Sequence, residues 1–134
     1  TEFLRGKIGG LLCLIDCDKF KSINDTYGHA VGDKVLIAIA ETLQKVCRDK
    51  DVIFRLGGDE FAIFMPGMME QKAAEKFFAR LFENIRQIDI EEMQGKSIEI
   101  SMGACFYEGT EEVSFDQLYK NADSVMYQSK EKRL

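Results

Sequence analysis

One stretch, "FRLGGDEFAIF" at residues 54–64, constrains the fold more than any other part of the chain. Apolar and polar residues alternate up to two adjacent glycines, and the apolar pattern resumes after Asp59 and Glu60. Such patterns are typical of strands. A Gly-Gly pair between two such runs indicates a hairpin, because the tight turns that match strand twist require positive φ. We therefore predict strands over residues 52–56 and 61–65, with the carboxylates of Asp59 and Glu60 at the hairpin tip.

The remaining periodicities place this hairpin in an α+β fold. Short apolar runs read as strands, and apolar residues that recur every three or four positions read as amphipathic helices. The other predicted elements are a strand at 10–16, a turn or helical stub at 18–26, and helices at 31–47 and 70–87, followed by a strand at 97–107 and a helix at 114–130. This order predicts a ferredoxin-like βαββαβ core, with an antiparallel sheet and helices packed on it.

This topology brings carboxylates from two separate segments to one edge of the sheet. The first strand would lie beside the hairpin, so that Asp16 at its end approaches Asp59 and Glu60. Carboxylates that converge repel one another unless a cation lies between them. Mg²⁺ or Mn²⁺ takes such oxygen ligands, and two ions roughly 3.5–4 Å apart suit phosphoryl or nucleotidyl transfer. The alternative is that these residues are solvated turn residues and a strand-end cap.

A second group of polar residues lies in "FKSINDTYGHAVGDKVL", residues 20–36. One interpretation is a loop with an Asn or Asp that caps the following helix. The other is base recognition. The Asp33 carboxylate can accept both N–H groups on one edge of guanine, whereas Asn24 can both donate and accept.

Composition excludes several classes of function. The 134 residues suit one domain, and the net charge of −5 argues against a nucleic-acid binder. His29 is the only histidine, which argues against a His-based metal cluster or a catalytic triad. No CxxC pair occurs among the four cysteines, and no apolar run is long enough to cross a bilayer, so we expect a cytoplasmic protein with reduced thiols.

The segments "RLGGDEF" and "DCDKFKSINDTYGHAVGD" together resemble the GGDEF domain of diguanylate cyclases. The likeness continues through "ISMGACFY" and "LYKNADSVMYQSK", in the family's order and spacing, and covers essentially the whole chain. It implies a palm related to nucleotidyl cyclases. It also implies condensation of two GTP into cyclic di-GMP with release of two pyrophosphates. In such a homodimer each 3′-OH attacks the other protomer's α-phosphate.

The resemblance also assigns roles to individual residues. Asp16, Asp59 and the Cys17 backbone carbonyl would be metal ligands, with two Mg²⁺ or Mn²⁺ ions per site. Glu60 would be a metal ligand or the group that helps to deprotonate the 3′-OH. The implied substrate-binding residues are Lys21, Asn24, Asp33, Gly57, Gly58 and Lys130.

Within that set the implied roles differ. The glycines would let the backbone lie close to the phosphates, and the lysines would neutralise phosphate charge. The amide and the carboxylate would read guanine. Family members that accept ATP tend to carry a small hydroxyl residue in place of Asp33, so its presence favours GTP.

The segment "RDKD", residues 48–51, lies where the family carries its product-inhibition site. In that role Arg48 would bind a phosphate or a guanine edge of cyclic di-GMP, and Asp51 the Watson–Crick edge. Arg80 is a candidate for the second arginine of this site. The alternative is a charged helix C-terminus, where an arginine is favourable in any case.

The chain departs from the family's pattern at both ends. The usual opening "DxLTGLxNR" is replaced by "TEFLRGKIGG", and the usual Lys-x-x-Gly ending by "KEKRL". We therefore expect an N-terminally truncated domain over residues 1–134, excised from a larger protein with an upstream sensory domain. The alternative function is a catalytically silent GGDEF domain that binds GTP or cyclic di-GMP as a regulatory module.

Overall fold

Five strands form one antiparallel sheet in the computed structural model, which describes residues 9–108 and 126–128. In chain order the elements are β1 (Gly10–Cys17), α1 (Phe20–Tyr27), α2 (His29–Val46), β2 (Val52–Arg55), β3 (Glu60–Pro66), α3 (Gln71–Arg86), a 3₁₀ turn (Glu91–Met93), β4 (Ile100–Tyr107) and β5 (Met126–Gln128). The strands lie in the order β2-β3-β1-β4-β5. The predicted α+β, ferredoxin-like core is confirmed.

The central strand β1 is buried on both faces, which explains its nearly continuous apolar sequence. Leu11, Cys13 and Ile15 face the main core, where they join apolar side chains of α2 and α3. Leu12 and Leu14 point to the other face and join two smaller apolar clusters. Burial on both faces holds the carboxyl end of β1 firmly against its neighbours β3 and β4.

The hairpin is present, but its turn differs from the predicted tight Gly-Gly turn. A four-residue loop at 56–59 separates β2 from β3. In the described part of the chain, positive φ among glycines occurs only at Gly28, Gly67 and Gly95. The loop is instead closed by the Glu60 carbonyl, which accepts the N–H groups of Leu56 at 2.8 Å and Gly57 at 3.4 Å. This wider loop does not require the left-handed conformation.

The predicted third helix is wrong at its C-terminal end. Residues 126–128 form β5, which pairs with Ser101, Met102 and Gly103 of β4. The open edge of β4 offers backbone donors and acceptors, and pairing with them outweighs the helical spacing of the apolar residues. Residues 114–125 and 129–130 of that prediction lie outside the described part of the chain. None of the described helices is both long and apolar enough to span a membrane.

Candidate active site

The carboxyl end of β1 meets the start of β3 in a register that sets two carboxylates opposite each other. Asp16 is the cross-strand partner of Glu60. The next pair is joined by a hydrogen bond from the Cys17 N–H to the Asp59 carbonyl, 3.2 Å long. Pairs alternate along an antiparallel ladder, so Asp16 and Glu60 form the non-hydrogen-bonded kind, whose side chains lie closer. Like charges in that position are destabilising without a compensating cation.

We name this part of the sheet the acidic edge (residues 16–18, 59 and 60). Its negative charge affects the pKa of the Cys17 thiol. Burial is the largest cause that raises the pKa of Cys17, and the carboxylates of Asp59, Asp18 and Asp16 raise it further, to about 12. The thiol is therefore neutral at physiological pH. Carboxylates from both segments lie close enough to act on one buried atom, as the predicted topology requires.

The donor set at the acidic edge fits a hard divalent cation. Carboxylate and carbonyl oxygens are the ligands that Mg²⁺ and Mn²⁺ prefer. Within residues 9–108 and 126–128, no three His, Cys, Asp or Glu side chains are already gathered as a metal site. That finding is compatible with Mg²⁺, which is usually held by one or two carboxylates together with substrate phosphates.

The predicted guanine-reading residues lie on two consecutive helices. Asn24 is on α1, and its side-chain oxygen Oδ1 is buried with no hydrogen-bond partner in the described structure. This oxygen lies against Gly32 of α2, where a Cβ atom would come within 1.8 Å of it. Buried polar atoms without partners are rare and costly.

Asp33 follows directly on α2 and is exposed. It lines a cavity of about 280 Å³ together with Leu36, Ile37, Arg55 and Phe61. Asn24 does not line this cavity, although its oxygen touches the residue before Asp33. The structure thus places the two residues on consecutive helices, with only Asp33 in the lining of this cavity.

The loop of residues 56–59 leaves open space beside both of its glycines. A Cβ atom added at Gly57 or Gly58 would have no neighbouring heavy atom within 4 Å. Lys21 lies exposed in the first turn of α1. Lys130 lies outside the described part of the chain.

The fold and the acidic edge agree with the outcome of comparison with known proteins. Residues 5–133 match the family described as "Diguanylate cyclase, GGDEF domain". The chain belongs to the GGDEF domain family. The resemblance in the sequence segments is therefore confirmed at the level of the family.

Relatives of this GGDEF domain include enzymes and solved structures. The diguanylate cyclase DgcM of Escherichia coli (strain K12) is 38% identical over 122 residues, which are 89% of this chain and 28% of that protein. An EAL/GGDEF domain protein from M. capsulatus is 31% identical with a TM-score of 0.78, covering 91% of this chain and 82% of that chain. The diguanylate cyclase SiaD from Pseudomonas aeruginosa, solved in complex with its activator SiaC, is 27% identical with a TM-score of 0.79, covering 98% of this chain and 52% of that chain.

The predicted product-inhibition residues, Arg48 and Asp51, form an internal ion pair in this GGDEF domain. The Arg48 guanidinium donates to Asp51 Oδ1 through Nη2 at 2.7 Å and through Nε at 3.0 Å, and to the Pro66 carbonyl at 3.0 Å. The Asp51 side chain is fully buried, whereas that of Arg48 is 34% exposed. The nearby Arg80 donates to the Val46 carbonyl. These bonds connect the turn after α2 to the end of β3.

Sequence reasoning missed one pair of residues beside the acidic edge. Ser101 of β4 is buried, and its hydroxyl donates to the Asp18 carboxylate. The Asp18 N–H also donates to the Glu99 carbonyl at 2.9 Å. These contacts fasten the residue that follows β1 to β4. The second aspartate of "DCD" was the available signal, but its partner becomes apparent only from the register of β4.

Proposed function

We propose that this domain is an active diguanylate cyclase, which condenses two GTP into cyclic di-GMP and two pyrophosphates. The supporting observation is the acidic edge, where Asp16 lies opposite Glu60 and Asp59 is tied to the backbone of Cys17. A family member that retains this arrangement keeps the oxygen ligands that nucleotidyl transfer needs. DgcM, the 38% identical relative, is a diguanylate cyclase.

The acidic edge would hold two Mg²⁺ or Mn²⁺ ions through Asp16, Asp59, Glu60 and the Cys17 carbonyl. When bound, such ions supply neutralisation of triphosphate charge and stabilisation of the pyrophosphate as it leaves. They would also offset the repulsion between the opposed carboxylates of Asp16 and Glu60.

The remaining residues bind and orient the nucleotide. Asn24 and Asp33 read guanine, while Lys21 and Lys130 neutralise phosphate charge. The bond that forms joins the 3′-oxygen of one GTP to the α-phosphorus of the other, and the bond between that phosphorus and the pyrophosphate oxygen breaks. Where Glu60 is not a ligand of the ions, it would help to deprotonate the 3′-OH. Repeating the step in the opposite sense closes the ring, so that the reaction needs two protomers face to face.

Control of dimerisation belongs to the same proposal. The chain spans 28% of the length of DgcM. In the full-length protein, an upstream sensory domain would bring two such domains together. In SiaD, a relative, an activator protein is bound. We place the domain in the cytosol, and its four unpaired cysteines, which include the fully buried Cys13, are compatible with that compartment.

Product inhibition at Arg48 and Asp51 is a further part of the proposal. The two residues lie in the turn between α2 and β2, where the Arg48 side chain is 34% exposed and the Asp51 side chain is fully buried. Their ion pair also has a purely structural reading, because the fully buried Asp51 carboxylate already accepts several hydrogen bonds. Cyclic di-GMP would therefore compete with Pro66 and Asp51 for the Arg48 guanidinium.

Turnover of GTP with Mg²⁺ tests the proposal, with the product identified by mass. The protein should be assayed at high concentration and again with a fused coiled coil that forces dimerisation. We expect cyclic di-GMP, and we expect Asp16→Asn to abolish it while Asp89→Asn, an exposed aspartate outside the site, does not. If the forced dimer binds GTP but yields no product, the domain is the silent binding module instead.

A further inference from the structure

The Arg55 side chain reaches over the loop that joins β2 to β3 and binds two successive carbonyl groups. Its Nε donates to the Gly57 carbonyl at 3.1 Å, and its Nη2 donates to the Gly58 carbonyl at 2.7 Å. The planar guanidinium suits this arrangement, because its donors are fixed in a rigid fork. Neither carbonyl can turn away without breaking one of these hydrogen bonds.

These two hydrogen bonds set the orientation of two peptide units. In a trans peptide the C=O and N–H bonds point in opposite directions, and the described part of the chain contains no cis peptide. Because the carbonyls of Gly57 and Gly58 face Arg55, the N–H groups of Gly58 and Asp59 face away from it. The loop therefore presents two neighbouring N–H groups on the side opposite to the guanidinium.

These two N–H groups differ from the two that precede them in their backbone hydrogen bonds. The preceding N–H groups, of Leu56 and Gly57, both donate to the Glu60 carbonyl. Within residues 9–108, neither the Gly58 N–H nor the Asp59 N–H donates to a backbone carbonyl. Open space lies beside both glycines. Successive backbone N–H groups that point into open space form an anion-binding concavity.

We propose that Arg55 is a positioning residue, which turns the N–H groups of Gly58 and Asp59 toward a phosphate of the bound nucleotide. The inference rests on the proposed function for the identity of that nucleotide. Arg55 also lines the cavity that contains the Asp33 carboxylate. One side chain thus borders the base-reading side of the site and holds the loop on its phosphate side.

The test measures binding without turnover. Two probes lack the 3′-OH and cannot condense, namely 3′-deoxy-GTP with Mg²⁺ and 3′-deoxyguanosine. Binding is measured by calorimetry for the triphosphate and by ligand-observed NMR for the nucleoside. We expect Arg55→Ala to weaken triphosphate binding about tenfold, the size expected for loss of hydrogen bonds to a charged group. Nucleoside binding should not change, because the nucleoside carries no phosphate.

Two further variants separate positioning from folding. Arg55→Lys should recover only part of the lost affinity, since one ammonium group cannot reproduce the two-pronged contact. Millimolar guanidinium ion should restore part of the triphosphate affinity of Arg55→Ala. The matched control is Arg86→Ala, because the Arg86 guanidinium binds Glu83 on its own helix. That change should leave both affinities unchanged.

Three results would overturn the inference. They are unchanged triphosphate affinity in Arg55→Ala, an equal loss for nucleoside and triphosphate, and a native protein that binds both probes equally. The product assay on the native protein judges the proposed function separately, since the binding experiment requires no reaction. A native protein that makes cyclic di-GMP while Arg55→Ala keeps full triphosphate affinity would refute the inference alone.

Discussion

Gly32→Ala is the substitution that should best separate folding stability from nucleotide recognition. Gly32 is buried near the start of α2, and an added Cβ would lie 1.8 Å from Asn24 Oδ1 and 3.4 Å from the Phe20 ring. The first distance is far too short, so an atom must move. Asn24 Cγ would also lie only 3.0 Å from the added Cβ, so the whole Asn24 side chain, which is flexible, should change its rotamer while both helix backbones stay in place.

The expected change in stability is small. Alanine is favoured over glycine in a helix by about 1 kcal/mol. Forcing Asn24 away from its preferred rotamer costs on the order of 0.5–1.5 kcal/mol. The two effects oppose each other, so the free energy of unfolding should stay within about 1 kcal/mol of the native value. Urea denaturation measures this quantity directly.

The expected change in recognition is larger. If Asn24 makes two hydrogen bonds to guanine, each contributes about 0.5–1.5 kcal/mol. Their loss should lower kcat/KM for GTP by roughly 5- to 150-fold, at 1.4 kcal/mol for each factor of ten. Ala30→Gly is the matched control, because it changes helix propensity at an exposed position of α2 and leaves Asn24 untouched. It should lower stability without lowering kcat/KM for GTP.

A double-mutant cycle with Asn24→Ala decides whether the mechanism is correct. If Gly32→Ala acts by displacing Asn24, adding it to Asn24→Ala should cause no further loss of kcat/KM. Full additivity would show that the substitution acts elsewhere in the site. Native kcat/KM in Gly32→Ala would refute the reasoning outright, because the side chain would then not need its present position.

Three more predictions follow from single contacts. Asn24→Ala should raise the free energy of unfolding by about 1 kcal/mol or more while lowering GTP affinity, because it removes a buried acceptor that lacks a partner. Thermal unfolding checks this, and a lower melting temperature would contradict it. Arg48→Ala should lower the free energy of unfolding in urea by about 3 kcal/mol, since it leaves the buried Asp51 carboxylate unpaired. Asp51→Asn should lower it less, and equal losses for the two variants would contradict a stabilising role of the ion pair. Burial is the main cause that raises the pKa of Cys47 from 9.0 to about 11. Its neutral thiol therefore contributes stability below pH 9, which is lost as the pH rises toward 11, so the stability difference between native protein and Cys47→Ala should shrink over that interval. A pH-independent difference would show that the thiol does not titrate as expected.

The hairpin shows how far periodicity predicts this fold. The apolar runs on either side of the two glycines located β2 and β3 to within one residue at each end, although β3 is buried on both faces and its apolar residues are consecutive. The sequence pattern could not predict the loop, since glycine adopts many conformations. Hydrogen bonds accepted by the Glu60 carbonyl and donated by Arg55 select one of them. Periodicity also failed at residues 126–128. These residues pair with the open edge of β4, although the apolar residues around them have helical spacing.

The candidate site likewise contains features that the sequence predicted and features that it could not predict. Topology alone was sufficient to bring Asp16 to the hairpin tip, because strand order follows from element order. The contact between Ser101 and Asp18 was not predictable, since it depends on the register of β4. The unpartnered Asn24 oxygen depends on how closely α1 packs against Gly32. Neither of these packing details leaves a periodic signal in the sequence.

Several departures from local rules cluster around the proposed nucleotide site. Asp16 lies opposite Glu60, the Asn24 oxygen has no partner, and the loop presents two N–H groups without backbone acceptors. Each of these three features suits a different part of a metal-bound nucleotide. A cation suits the carboxylates, a donor on the base suits the amide oxygen, and a phosphate suits the N–H groups.

Ligand binding should therefore stabilise the fold strongly. At a free concentration 100 times its Kd, Mg²⁺ with 3′-deoxy-GTP should add about 2.7 kcal/mol to the free energy of unfolding. Thermal unfolding measures the effect, with Mg²⁺ and 3′-deoxy-ATP as the matched control, because Asp33 should reject adenine. Mg²⁺ alone or the nucleotide alone should stabilise the fold less than the two together, since each would contact only part of the site. Equal stabilisation by both nucleotides would show that neither Asn24 nor Asp33 reads the base, and additive effects of metal and nucleotide would show that the two do not share one site.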